Sequence, residues 1–111
     1  MSLNDKNRVK KRKDFTKVYR QGKSLSAANV VVCWRKTKCD CYRVGFTVSK
    51  KVGNAVIRNK VRRRLKEIVR LHPERFFNGI DYIIVARSAA AFCDYRELDM
   101  ELERLLRKIK P

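Results

Sequence analysis

The chain has 111 residues, 44% of them hydrophobic, with 29 Lys and Arg against 11 Asp and Glu, for a formal net charge of +18. That length suits one domain around one core, and that apolar fraction excludes a disordered basic tail. No run approaches the ~18 apolar residues of a membrane span, and the charged start is unlike a signal peptide, so the reading is a soluble, cytoplasmic chain with no membrane association.

Residues 1–13 read as a basic N-terminal arm, Lys6, Arg8, Lys10, Lys11, Arg12 and Lys13 against Asp5, and residues 14–111 as a single α/β domain. Asp14 is expected to cap a short helix over 14–20 that Gly22 ends. Phe15, Val18 and Tyr19, at i, i+3 and i+4, are its apolar face, and a helix this short is stable only when packed. The two aromatics serve either as core or as a stacking surface for nucleotides beside a basic arm, and spacing alone favours the core.

Residues 25–34 read as extended, a short strand followed by another over 29–35. After a polar turn at 36–40, residues 42–49 alternate, with Val44, Phe46 and Val48 on one side and Arg43, Gly45 and Thr47 on the other. That is the period of a half-buried strand, expected to form a hairpin with the preceding one.

Ser49, Lys50, Lys51, Val52 and Gly53 then lead to Asn54, the expected N-cap of the most informative helix. Residues 58–70 hold seven Arg or Lys against one acid, Glu67. At 100° per residue Ile57, Val61, Leu65, Ile68 and Val69 share one sector. Asn59, Lys60, Arg62, Arg63, Arg64, Lys66 and Arg70 take the other. Arg58 falls among the apolar positions, which suggests an irregular first turn. The like-charge pairs 58/62, 60/64, 62/66 and 66/70 each cost roughly 0.2–0.5 kcal/mol, and Glu67 relieves only its own neighbours. A helix that keeps this repulsion is expected to meet a polyanion. The helix start also presents backbone N–H groups to an anion.

Pro73 stops the helix, and Phe76 and Phe77 are expected to plug the core from the loop that follows. Residues 80–86 form an apolar run around Asp81, fitting a buried strand. Asp94 and Glu97 suit a capping box before a last amphipathic helix with Tyr95, Leu98, Leu102, Leu105, Leu106 and Ile109 as its stripe. Glu97, Asp99, Glu101 and Glu103 on that helix read as a solvated face. The order of elements implies an α+β fold, a single two-layer α/β sandwich in the order α-β-β-β-α-β-α.

The charge partition sharpens the functional reading. Residues 1–70 carry 22 basic and 4 acidic side chains, residues 71–111 seven of each, so the whole excess lies in the first two-thirds of the chain. That is the footprint expected for phosphate backbones. One histidine, no P-loop and no paired carboxylates near the basic region leave no catalytic residues to name. Cys33, Cys39, Cys41 and Cys93 lack the spacing of a zinc knuckle and read as reduced thiols, so no protein metal site is expected. The residues alone therefore describe a protein that binds RNA or DNA without cutting it.

The segment that joins Arg43-Val44-Gly45-Phe46-Thr47-Val48-Ser49-Lys50-Lys51-Val52-Gly53-Asn54 to Arg58-Asn59-Lys60-Val61-Arg62-Arg63-Arg64-Leu65 resembles the signature of the protein subunit of bacterial ribonuclease P. Asp14-Phe15 with Tyr19 and Gly22, and residues 81–87, match its flanking elements. The resemblance implies an α/β sandwich in which the basic helix joins two parallel strands by a left-handed βαβ crossover, against the usual right-handed rule. It implies a protein that partners a catalytic RNA, which hydrolyses precursor tRNA to release the 5′ leader with Mg²⁺ held mainly by the RNA. No obligate protein partner is expected. By matching position, Lys50, Lys51, Asn54, Arg58, Asn59, Lys60, Arg62, Arg63 and Lys66 would contact the catalytic RNA. Phe15, Tyr19, Arg43 and Ser49 would line the cleft that holds the leader. Lys60 replaces the motif's second Arg, which keeps the charge and loses the bidentate fork. Cys33 stands where the family often has a cleft aromatic, with Trp34 next to it on the opposite face.

Overall fold

The apolar run at 80–86 becomes the spine of the molecule because it is buried on both sides. The computed structural model describes residues 5–111, so residues 1–4 of the expected basic arm lie outside the described residues. After a 3-10 turn at Asp5–Asn7 come α1 (Arg12–Gln21), β1 (Lys23–Ser26), β2 (Val30–Lys36) and β3 (Arg43–Thr47). α2 (Ala55–Leu71), β4 (Ile80–Ala86) and α3 (Tyr95–Arg107) follow. The strands form one mixed sheet in the order β1-β2-β4-β3.

The pairing corrects one expectation. β3 does not form a hairpin with β2; it lies parallel to β4, with Arg43 opposite Asp81 and Thr47 opposite Val85. The hairpin is β1–β2, and β4 inserts between β2 and β3. Alternation along a strand sets which face each side chain takes but says nothing of which strand lies beside it. β4 is buried on both faces, so it can be central, and α2 supplies the crossover a parallel pair requires.

One face of the sheet is closed by α2 and α3. Val61, Leu65, Ile68 and Val69 of α2 and Leu98, Leu102, Leu105 and Leu106 of α3 pack with Val30, Val32, Val44, Tyr82 and Ile84. Each such side chain, removed from water, contributes roughly 1.5–3 kcal/mol before the entropy of ordering is charged against it. Phe76 is buried here, stacked on Tyr42 and edge-on to Tyr82, while Phe77 is 41% exposed and is not a core plug.

α1 lies across the other face and covers part of it. Val18 is buried against Ile83 and Val9, with Phe15, Cys33 and Val85 partly buried around them. Asp14 is not the cap of this helix. Lys11 occupies the N-cap position without a side-chain hydrogen bond, and Asp14 sits in the first turn. Gly22 does end the helix, for lack of space: a Cβ there would lie 2.3 Å from the Trp34 carbonyl oxygen.

α3 carries a further correction. Asp94 caps it, its Oδ1 accepting from the Glu97 N–H at 2.8 Å. Glu101, however, is buried and not solvated: its carboxylate accepts from the Asn29 N–H (2.7 Å), the Asn29 amide (2.8 Å) and the Val30 N–H (3.0 Å). The β1–β2 turn is thus tied to α3 by one carboxylate that takes three otherwise orphaned donors.

Candidate nucleic-acid interface

Three parts meet along β3 and the start of α2. The first is the turn between them. Val48 and Val52 anchor it in the core, leaving Lys50 and Lys51 exposed at its tip. Ser49 shapes the turn: its Oγ accepts from the Lys51 N–H at 3.3 Å and its carbonyl from the Val52 N–H at 3.1 Å. Gly53 follows at φ +156°, where an added Cβ would also press on Ile57 at 3.0 Å. Both the backbone angle and the contact require glycine. Asn54 is the expected N-cap, its Oδ1 accepting from the Ile57 N–H at 3.0 Å.

The second part is the outward face of α2, a helix of 17 residues and so about 25 Å long. Arg58 does not sit in an irregular turn; its N–H donates to the Asn54 carbonyl at 2.9 Å, a regular helical bond. Its side chain is half-buried, and Nε is shielded from water with no hydrogen-bond partner among the described residues.

Arg64 and Arg70 leave the cationic face, because Arg64 donates to the Cys93 carbonyl at 3.0 Å and Arg70 pairs with Glu67. Glu67, the one acid of α2, is therefore taken. Arg62 donates to the Asn59 side-chain oxygen at 3.0 Å, which keeps its charge. Asn59, Arg62, Arg63 and Lys66 line an open hollow of about 480 Å³, and no ion pair involves any of these cations among the described residues.

Arg8 adds to this ridge, a residue with no signal beyond its place in a basic stretch. The backbone before α1 runs along the free edge of β3, Arg8 bridging to Val44 and the Val9 N–H donating to the Val44 carbonyl at 3.1 Å. An edge strand is thereby covered, and Arg8 is carried to the ridge. Arg8, Phe15, Phe46, Arg62 and Lys66 share a second hollow of about 270 Å³. Lys66 registers the crowding: burial, then repulsion from Arg8 and Arg62, pushes its ammonium below its ordinary pKa.

The third part is the sheet face beside α1. Phe15 lies against Gly45, where a Cβ would meet its ring at 2.7 Å, so the glycine admits the ring. Tyr19 projects from α1 with 47% of its surface exposed, and its hydroxyl hydrogen-bonds Thr47 at 2.7 Å. Alternation had put Thr47 on the face of Arg43 and Gly45, the one signal that could have found it. Cys33 faces this cleft, its thiol pKa raised by burial, while Trp34 packs against the opposite core. Arg43 is committed elsewhere, donating to Asp81 at 2.9 and 2.6 Å and lying 3.5 Å from Asp14. Those two carboxylates offset its charge and hold its pKa above the ordinary value. Ser49 is exposed in the turn.

Among the described residues no three His, Cys, Asp or Glu side chains gather as a metal cluster would need, and no helix is long and apolar enough to cross a membrane. What remains is a small α+β domain that carries an unpaired cationic helix face beside a half-open aromatic cleft. Comparison with known proteins then gives it a family. The profile of the family described as Ribonuclease P matches residues 3–110. A "Ribonuclease P protein component" from Clostridium botulinum is 42% identical over 103 residues, covering 92% of this chain and 93% of that protein. One from Clostridioides difficile is 38% identical over 109 residues, covering 97% and 96%. The solved ribonuclease P protein of Thermotoga maritima superposes with a TM-score of 0.85 at 31% identity, covering 94% of this chain and 98% of that one. That of Staphylococcus aureus gives 0.84 at 35%, covering 92% and 94%. The chain belongs to the ribonuclease P protein family, and its setting is the ribonucleoprotein that matures tRNA 5′ ends.

Proposed function

We propose that this chain binds the catalytic RNA of ribonuclease P through the α2 ridge and holds the 5′ leader of precursor tRNA in the cleft beside α1. The observation that carries the reading is the unrelieved charge on α2. Lys60, Arg62, Arg63 and Lys66 face outward without a carboxylate partner among the described residues. Phosphates laid along the ridge would exchange like-charge repulsion for attraction and release condensed counterions. Lys50 and Lys51 extend the surface at the turn, and Asn54, Arg58 and Asn59 complete it at the helix start. The unpartnered Nε of Arg58 is a donor awaiting an acceptor.

In the cleft Phe15 and Tyr19 offer ring faces to unpaired bases, a sequence-tolerant way to hold a single strand. Phe15 also packs on Gly45 and Ile83, so its role combines core and contact. Arg43 contributes as a positioning residue, since Asp81 and Asp14 already take its charge. Ser49 acts through the turn that presents Lys50 and Lys51.

The chemistry belongs to the RNA in this reading, and so does Mg²⁺. Asp14 and Asp81, beside the cleft, are engaged by Arg43, and among the described residues no oxygen-rich set gathers for a hard cation. The protein's part is to position the leader and support the folded RNA in the cytoplasm, with no further protein required.

The test is reconstitution at low Mg²⁺. Adding the chain to ribonuclease P RNA should restore precursor-tRNA cleavage at the 5′ junction. An RNA equally active with and without the protein would overturn the proposal, and cleavage by the protein alone would move the chemistry to its side chains.

A further inference from the structure

A second basic surface lies away from the ridge, assembled from residues far apart in sequence. Lys23 of β1, Arg35 and Lys36 of β2, and Lys108 and Lys110 after α3 surround an open cleft of about 560 Å³ beside the partly buried indole of Trp34. No carboxylate side chain lines it, and none of the four lysines has an ion-pair partner among the described residues. Arg35 is held by the Gln21 side chain, which accepts from its Nε at 2.9 Å without neutralising it.

Gly22 forms part of the wall, and the contact of its backbone with Trp34 closes the end of α1 onto β2. The charge partition along the sequence does not show this surface, because Lys108 and Lys110 come from the neutral C-terminal third. The fold brings them to Lys23 and Lys36. The strand order β1-β2-β4-β3 sets it at the β1–β2 side of the sheet, two to three strand spacings or about 10–14 Å from β3.

We infer that this cleft binds the phosphate backbone of a single RNA strand, and that in the particle proposed above the strand is the leader upstream of the part held beside α1. Three features favour a single strand over a duplex. The surface is a concave cleft, it sits beside an aromatic ring, and its cations come from three separate elements that surround the strand instead of forming one linear ridge. This inference rests on the leader reading, so its test carries a control for that reading.

Holoenzyme reconstituted from ribonuclease P RNA and either the wild-type chain or the Lys108→Glu/Lys110→Glu variant is titrated with precursor tRNAs of short and long leader. Both substituted residues are exposed, outside the core and outside the α2 ridge. The expected result is about a tenfold loss of affinity for the long-leader substrate only, with a salt slope shallower by about 1.4, two phosphates at ~0.7 each. An equal loss for both leaders, or none for either, overturns the inference. So does a loss of affinity for the catalytic RNA itself. Lys23→Glu, on another element, must reproduce the pattern, which guards against a local effect on α3. If the wild-type chain fails to support cleavage at all, the reading of the ridge fails first. In that case a fluorescent single-stranded oligonucleotide titrated onto the isolated chain still decides the cleft, with weakening by the double variant expected and unchanged affinity contradicting it.

Discussion

α2 and α3 are built alike on their inner sides and differ on their outer ones. Each buries a stripe of branched aliphatic residues against the same sheet face. On α3 nearly every acid has a partner: Glu101 holds the β1–β2 turn, Asp99 takes Arg75 at 2.6 Å, and Glu103 takes Arg107 at 2.6 Å. On α2 the single acid serves Arg70, and Arg62, Arg63 and Lys66 are left facing outward. The acids of α3 are mostly spent within the fold, whereas Lys60, Arg62, Arg63 and Lys66 of α2 have no ion-pair partner among the described residues. A charge that the fold does not use is the better guide to function.

The contrast predicts opposite consequences for charge changes on the two helices. The largest effect is expected for Glu101→Ala, which leaves three buried donors unpaired and costs about 3 kcal/mol or more. Urea unfolding reads it directly; a loss below about 1 kcal/mol would return Glu101 to a solvated role. Affinity for the catalytic RNA at a temperature where the variant is folded should be unchanged.

The next effect is on binding. Arg63→Glu/Lys66→Glu should weaken association with the catalytic RNA by at least about tenfold and flatten its salt dependence. The same substitutions should leave folding stability within roughly a few tenths of a kcal/mol of the wild type, since Lys66→Glu relieves the 62/66 and 66/70 repulsions while Arg63→Glu places a like charge four residues before Glu67. A variant that lost stability and kept its affinity would erase the distinction between the helices.

Phe15→Ala sharpens the comparison at the cleft. Losing one stacked base costs about 1–3 kcal/mol, and the loss should be confined to substrates that carry a leader. Equal weakening with leaderless tRNA would make Phe15 a core residue alone.

The smallest effect is in the titration of Lys66. Its ammonium is disfavoured in the folded chain, so its folded pKa lies below the ordinary 10.5. The unfolded state then binds more protons as pH rises through that interval, and Lys66 adds stability on the alkaline side. An NMR titration should find its midpoint below those of the exposed lysines and displaced upward when RNA binds. A midpoint that RNA leaves unmoved would separate Lys66 from the interface.

The elements were legible in the sequence where a local pattern decided them. Asn54, the stripe of α3 and Val61, Leu65, Ile68 and Val69 of α2 depend on residues three or four apart and are found as the spacing predicts, whereas Ile57, expected in the same apolar sector, lies in the first turn of α2 and is 36% exposed. What the sequence hid was long-range. The alternation of β3 carried no information on its neighbour, so the parallel pairing with β4 came only as an implication of the family resemblance. Asp14 looked like a cap because it precedes an apolar face; its partner, Arg43, lies 29 positions on. Glu101 read as solvated because nothing local marks a carboxylate whose donors come from a turn 72 residues away. Arg64 fell in the cationic sector, yet a carbonyl before α3 accepts its hydrogen bond and turns the side chain away from the ridge.

The central claim is that Lys60 and Lys66 lie against RNA in the assembled particle. Modification by an amine-reactive reagent, read residue by residue by mass spectrometry in the free chain and in the reconstituted ribonucleoprotein, tests it most directly. Strong protection of both lysines on assembly is the predicted result, while undiminished reactivity of either in the particle would contradict it.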